Sequence, residues 1–249
     1  KGLLRRKELM TPTYLKPRDS GVAGLIGEHS RYDTKNRAVT PPEIVELLVT
    51  QVDSVLKQGE IDALVIMDQV ELPDCGVVTA ALRDVLSDHA ARHPQVLFWA
   101  DSRRFIRQFR NVMIKPNQFE AIGRVNPLPG DEVTQIDLER VIPRLRDESG
   151  VPVFITWGER GMFVSDPEVR LIPGLTVRSQ IDPTGAGDSA TAGAVLALTS
   201  GATPAEAALI ANLVASVTVR QLGTTGTAHP ADLTEALIAW RAQNPGVVI

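Results

Sequence analysis

The stretch DPTGAGDS, residues 182–189, sets two glycines and two aspartates directly before SATAGAVLALTSG (189–201), a run of small residues with helical character. Three readings compete for it. Gly185, Gly187 and Ala190 satisfy the dinucleotide pattern G-x-G-x-x-A, and Glu206 stands at nearly the distance expected of a ribose ligand. That fingerprint should follow an apolar strand, however, and here it follows Gln180-Ile181-Asp182-Pro183, while Glu206 belongs to the next helix start, TPAE (203–206). A Walker A loop needs a lysine and Ser/Thr pair after the glycines, and no such pair follows, since Asp188 stands before Ser189. A plain turn into a closely packed helix accounts for the glycines but not for Asp188 behind them. The third reading accounts for both. Main-chain N–H groups of Gly185, Ala186 and Gly187 at a helix N-terminus form an anion hole. Asp188 in the first turn then takes the proton of an attacking hydroxyl, as phosphoryl transfer requires.

Outward from this motif, the chain alternates short apolar runs with helical patterns. ALVIMD (63–68), VLFWAD (96–101), NVMIKPN (111–117) and VPVFITWG (151–158) are short and mostly apolar, as expected of strands covered on both faces. Helices are expected from Thr40 to about Lys57, up to about Ala91, and from about Thr134 to Glu148. The first opens with TPPE (40–43), read as a capping box with Thr40 as N-cap. MFVSD (162–166) and VRLIP (169–173) read as a hairpin leading to the motif, and TPTYLKP (11–17) as a short strand in an otherwise polar first forty residues. The alternation predicts an α/β fold with a mostly parallel sheet between helical layers. The core runs end in Asp68, Asp101, Lys115-Pro116-Asn117 and Thr156-Trp157-Gly158. The carboxyl ends of parallel strands are where such sheets bind ligands, although strand ends also turn polar simply because loops begin there.

Bulk properties narrow the partners. The formal charge of −4 over 249 residues argues against nucleic acid or an anionic membrane as the main partner. Cys75 is the single cysteine, so no internal disulfide forms, and with neither a signal-peptide pattern nor a membrane span the expected location is the cytoplasm. His29, His89, His93 and His229 have no metal-ligand spacing; His89 and His93 are expected to share a solvated helix face.

Four elements then occur in a familiar order: KPNQFE (115–120), TWGERG (156–161), DPTGAGDS (182–189) and ANLVASVTVRQLGTTGT (211–227). Together they resemble the P-N-x-x-E element, the T-x-G-x-x-G loop, the D-T-x-G-A-G-D signature and the final helix and loop of the ribokinase-like (PfkB) carbohydrate kinases. The likeness runs from about Asp62 to Thr227, with Pro183 in place of the usual threonine. It implies a three-layer α/β/α ribokinase-like core at 41–249. Residues 1–40, including RYDTKNR (31–37), then read as a lid remnant and the return into the core, with the family's N-terminal strands and most of the lid absent.

The resemblance implies ATP-dependent phosphorylation of a sugar or sugar phosphate, with Mg²⁺ and a monovalent cation such as K⁺. Asp188 would be the base, with Gly185, Ala186 and Gly187 as the anion hole. Thr156, Gly158, Glu159 and Gly161 would line the nucleotide phosphates and ribose. Asn117 and Glu120 would orient phosphates and the water around Mg²⁺, although the pair also reads as a helix cap. Asn212 would lie against the nucleotide or else make a packing hydrogen bond. Asp182, Thr184, Thr218, Gln221, Gly223 and Thr227 match the cation positions. Asp33, Asp68 and Asp101 are candidate substrate contacts, and Arg103 and Arg104 would meet either a substrate phosphate or solvent. Within the class a heptose-phosphate kinase is the alternative, and the lid could join a homodimer. A non-catalytic nucleotide-binding fragment and, distantly, an NAD(P)-dependent oxidoreductase stay open.

Overall fold

The computed structural model describes residues 3–7, 9–22 and 24–249. A small antiparallel pair, β1 (Thr13–Leu15) and β2 (Tyr32–Thr34), precedes the main body. There follow α1 (Pro42–Gln58), β3 (Ala63–Asp68), α2 (Ala80–Arg92), β4 (Leu97–Ser102), β5 (Met113–Ile114), the single turn α3 (Gln118–Ala121) and α4 (Gln135–Ser149). The second half holds β6 (Phe154–Thr156), β7 (Gly161–Val164), β8 (Arg170–Pro173), α5 (Ala186–Thr199), α6 (Pro204–Thr218) and α7 (Pro230–Gln243).

β3, β4 and β5 run parallel, in a register that sets Asp68 beside Ser102 and Ala100 beside Ile114. Parallel bridges Ile114↔Val153 and Asn117↔Thr156 carry the order on to β6, and β7 and β8 then add antiparallel. The apolar runs thus become one mixed sheet whose parallel half is as expected. Its side chains alternate between two cores. Ile66, Phe98, Ala100, Ile114, Ile155 and Phe163 pack with α1, α2 and α4 through Leu56, Leu82, Leu86, Leu138, Ile142 and Leu145. Trp99, Phe154, Met162, Val164 and Ile172 face α5 and α6, which present Ala190, Ala194, Ala207, Ala208 and Ala211. Period-two alternation is what produces the three layers, but β3 departs from the expected burial on both faces, since Val65 and Met67 stand exposed on one of them. The small residues let α5 and α6 approach closely: a Cβ on Gly193 would stand 3.0 Å from Val214 Cγ2 and 3.2 Å from Ala211 Cα.

Three local expectations are corrected. α1 starts at Pro42 with Pro41 as its cap, because the Thr40 hydroxyl donates to the Gly76 carbonyl at 2.7 Å and its N–H to Asp74. β5 occupies two residues rather than the whole of 111–117: Asn111 has a φ of 59° and Pro116 has no N–H to give a ladder. His89 is buried, its Nε2 2.9 Å from Asp53 of α1, so the histidine face of α2 packs on a helix instead of meeting solvent.

Candidate active site

At the carboxyl ends of the parallel strands lies a cleft of about 1180 Å³. α5 points its N-terminus into it. Gly185 is the N-cap with φ 77° and ψ 4°, a left-handed conformation that a side chain would strain. A Cβ there would also meet Thr225 Cβ at 2.9 Å, so the 223–227 loop closes against the turn. The Ala186 N–H is taken by the Pro183 carbonyl at 3.1 Å, which removes it from the expected set of anion donors. Among the described residues the N–H groups of Gly185, Gly187 and Asp188 have no protein acceptor. The orphan amides of a helix start are thus left open toward the cleft.

Asp188 stands in the first turn of α5, exposed to the cleft. Among the described residues no hydrogen bond or ion pair holds its carboxylate. Loss of water at the cleft wall raises its pKa, repulsion from Asp101 adds to that, and Lys115 and Arg103 oppose it. Asp101, at the end of β4, is ion-paired at 2.8 Å with Lys115, which directly follows β5. Nothing in KPNQFE (115–120) alone assigns Lys115 a role. The strand register, which aligns Ala100 with Ile114 and so brings the next two residues together, is the signal that would have found the pair.

Asn117 and Glu120 open α3 as a reciprocal cap. Asn117 Oδ1 accepts from the N–H groups of Phe119 and Glu120, and Glu120 Oε2 accepts from the Asn117 N–H at 2.8 Å. Both residues also line the cleft. Burial pushes the Glu120 carboxyl up to about 7, with Asp101 adding and the Asn117 N–H, Lys115 and Arg103 subtracting. Thr156, Gly158, Glu159 and Gly161 line the next segment of the wall, around the 3-10 turn Gly158–Arg160. Gly158 has a φ of 57° with open space around its α-carbon, whereas Gly161 is a glycine because β8 crosses where its side chain would be. Asn212 reaches the cleft from α6 and donates to the carbonyls of Ile172 and Pro173, so the packing hydrogen bond is present.

The six expected cation positions lie in the turn before α5, at the last residue of α6 and in the loop that follows it. Both oxygens of buried Asp182 accept main-chain N–H groups, from Thr184 at 3.0 Å and Gly223 at 2.8 Å. Burial opposes its ionisation, but these bonds, the Thr184 side chain and nearby Lys16 outweigh it and lower the pKa. Gln221 and Thr227 exchange two hydrogen bonds, and the Thr218 hydroxyl donates to Ala215. Among the described residues no three His, Cys, Asp or Glu side chains gather as a metal site.

Of the candidate substrate residues only Asp101 lines the cleft. Asp68 is buried and accepts the Ser102 hydroxyl at 2.7 Å, burial raising its pKa. Asp33 pairs with Arg31 and Lys35 on β2 and its flank. Arg103 borders the cleft, tied to Gln69 at 2.9 Å, while Arg104 lies in a side recess. From the β1–β2 segment Tyr14, Lys16, Arg18 and Arg31 complete the rim; Lys16 touches Thr184 at 3.3 Å and Tyr14 donates to the Gln69 carbonyl at 2.9 Å. Glu206 is not near a ribose site: it accepts the Thr203 N–H at 2.7 Å as the capping partner of α6, and no strand leads into Gly185. The dinucleotide fingerprint is therefore coincidental.

Residues 33–231 match the profile described as pfkB family carbohydrate kinase. The chain belongs to this family. It is 30% identical over 216 residues to the bifunctional protein HldE of Gluconacetobacter diazotrophicus, covering 86% of this chain and 42% of that protein. This pfkB chain thus spans less than half the length of the HldE relatives it first matches, 42% and 33%. Among solved structures it resembles phosphofructokinase-2 from Escherichia coli in complex with potassium, with a TM-score of 0.65 and 19% identity over 85% of this chain and 67% of that one. Arabidopsis thaliana ribokinase complexed with ribose and ATP gives a TM-score of 0.59 and 16% identity over 91% and 69%. At such identities the likeness speaks for the fold, and it is the ribokinase fold. Among the described residues no helix is long and apolar enough to cross a membrane.

Proposed function

We propose that this pfkB chain carries the nucleotide site and catalytic base of an ATP-dependent kinase that phosphorylates a hydroxyl of a sugar or sugar phosphate. The observation that carries the reading is the unpaired Asp188 carboxylate one residue beyond open main-chain donors at a helix start facing a large cleft. Donors at Gly185, Gly187 and Asp188 would receive the charge of the transferring phosphoryl group, and the carboxylate would take the acceptor proton. The wall from Thr156 to Gly161, with Asn212, would hold ATP.

Asn117 and Glu120 suit a role beside Mg²⁺, which would supply charge to the phosphate oxygens while keeping most of its water. Protonated near neutrality, Glu120 would ionise as such a cation approaches. The Asp182, Thr184, Thr218, Gln221, Gly223 and Thr227 cluster would carry K⁺ on carbonyl and hydroxyl oxygens, helping to fix the loops behind the anion hole. Residues 1–40 would act as a lid remnant, with β1 and β2 as a surface for a second copy, and the location would be the cytoplasm. A phosphorylated acceptor such as a heptose phosphate is favoured by one observation: Arg31, Lys35 and Arg103 lie 4.9, 5.6 and 5.7 Å from the Tyr14 ring at the rim.

Replacing Asp188 with Asn tests the base. Phosphoryl transfer, followed by ADP release across a panel of sugars and sugar phosphates, should fall about 10²–10⁴-fold while ATP affinity by calorimetry stays near wild type. Near-normal turnover in Asp188→Asn would remove the assignment.

A further inference from the structure

Lys115 is 3% exposed, and its ammonium has one partner among the described residues, Asp101 at 2.8 Å. An ammonium has three protons to donate, and the other two have no acceptor among the described residues. The group lines the cleft, and it stands 3.6 Å from where a Cβ on Gly187 would be, against the first turn of α5. The positive end of a helix dipole repels a cation, and a buried charge is costly unless well compensated. A pair serving only to join β4 and β5 gains nothing from this location. It becomes favourable once an anion lies between the ammonium and the open amides of α5.

From this geometry we infer that Lys115 is a further catalytic residue, the cation that meets the transferring phosphoryl group, and that Asp101 is its positioning residue rather than a contact for the sugar. This rests on the kinase reading and deepens it. As the acceptor oxygen bonds to the γ-phosphorus, the bond to the bridging oxygen breaks and its electron pair leaves on ADP; the hydroxyl proton passes to Asp188. Lys115 moves no proton. It stays charged beside the equatorial oxygens, opposite the amides of Gly187 and Asp188, and Asp101 holds it extended.

The test uses the whole chain and calorimetry with Mg²⁺, comparing ADP alone with ADP plus fluoroaluminate, a mimic of the flying phosphoryl group. Wild type should bind ADP about tenfold or more tightly with fluoroaluminate, since groups specific to the transition state act on the mimic. Lys115→Met should bind ADP within about threefold of wild type and lose the tightening, and its kcat should fall about 10²–10³-fold with little change in KM for ATP. Because Lys115→Met leaves Asp101 unpaired, the double variant Lys115→Met/Asp101→Leu removes both charges and should give the same result. A folded variant of either kind that keeps the tightening overturns the inference alone. So does loss of folding in both variants, which would make the pair structural. A wild-type chain that binds ADP without tightening, and transfers no phosphoryl group, removes the kinase reading itself.

Discussion

Glu120→Gln is the substitution whose effect follows most directly from the site. Burial beside Asp101 raises the Glu120 carboxyl from an ordinary 4.5 to about 7. Between those two values the native carboxyl keeps a proton that the unfolded chain has released, so this residue makes stability fall as pH rises through the window. At about 1.4 kcal/mol per pH unit, the loss amounts to roughly 3 kcal/mol by pH 7.5. Glutamine is neutral throughout, and its Oε1 can still accept the Asn117 N–H. The variant should therefore match wild type near pH 4.5 and exceed it by roughly 3 kcal/mol at pH 7.5. Urea unfolding at intervals from pH 4.5 to 8 measures the difference. Titrating groups that do not interact with Glu120, including buried His89, whose pKa burial lowers, act equally in both proteins and cancel. A difference that stays flat within about 1 kcal/mol, or that widens toward acid, refutes the reasoning.

Gly185→Ala forces a side chain into φ 77° and against Thr225; a cost of about 1–2 kcal/mol from the backbone alone should lower Tm by about 3–6 °C, and an unchanged melting curve would contradict the strained cap. Glu206→Ala removes the partner of the Thr203 cap on α6 and should cost about 1 kcal/mol of stability, with ATP and NAD affinities by calorimetry unchanged; lost nucleotide affinity would reopen the dinucleotide reading. Replacing K⁺ by tetramethylammonium should slow turnover several-fold, and indifference to the exchange would remove the cation proposal.

The layers were legible because strands of an α/β sheet write short, β-branched apolar runs between helical patterns. ALVIMD became β3 residue for residue, although one of its faces is exposed at Val65 and Met67, and α4 began directly after Thr134, where the helix was expected. What the sequence hid depends on contacts across the fold. Thr40 has the chemistry of an N-cap, yet a carbonyl 36 residues away takes its hydroxyl. Asp68 and Asp101 end neighbouring strands alike, and only the register, which sets one beside Ser102 and the other beside Lys115, separates a buried structural carboxylate from one facing the cleft. The glycines of 182–189 marked the start of α5, whose open amides face a cleft, but the turn through Pro183 takes the Ala186 amide internally, a detail fixed by backbone angles rather than composition. Residues 3–40 carry little periodicity because β1 and β2 are short and mostly exposed.

The alanine and glycine seam between α5 and α6 has a mechanical consequence. Gly193 lies five residues along the helix from Asp188, about 7.5 Å at 1.5 Å per residue, and a side chain there would press on Val214 and Ala211. Two rods set that closely are expected to move together, so that the carboxylate at the tip would share the stiffness of both. Enlarging residue 193 would tilt the shaft that bears it and slow the reaction from a place no substrate ever reaches.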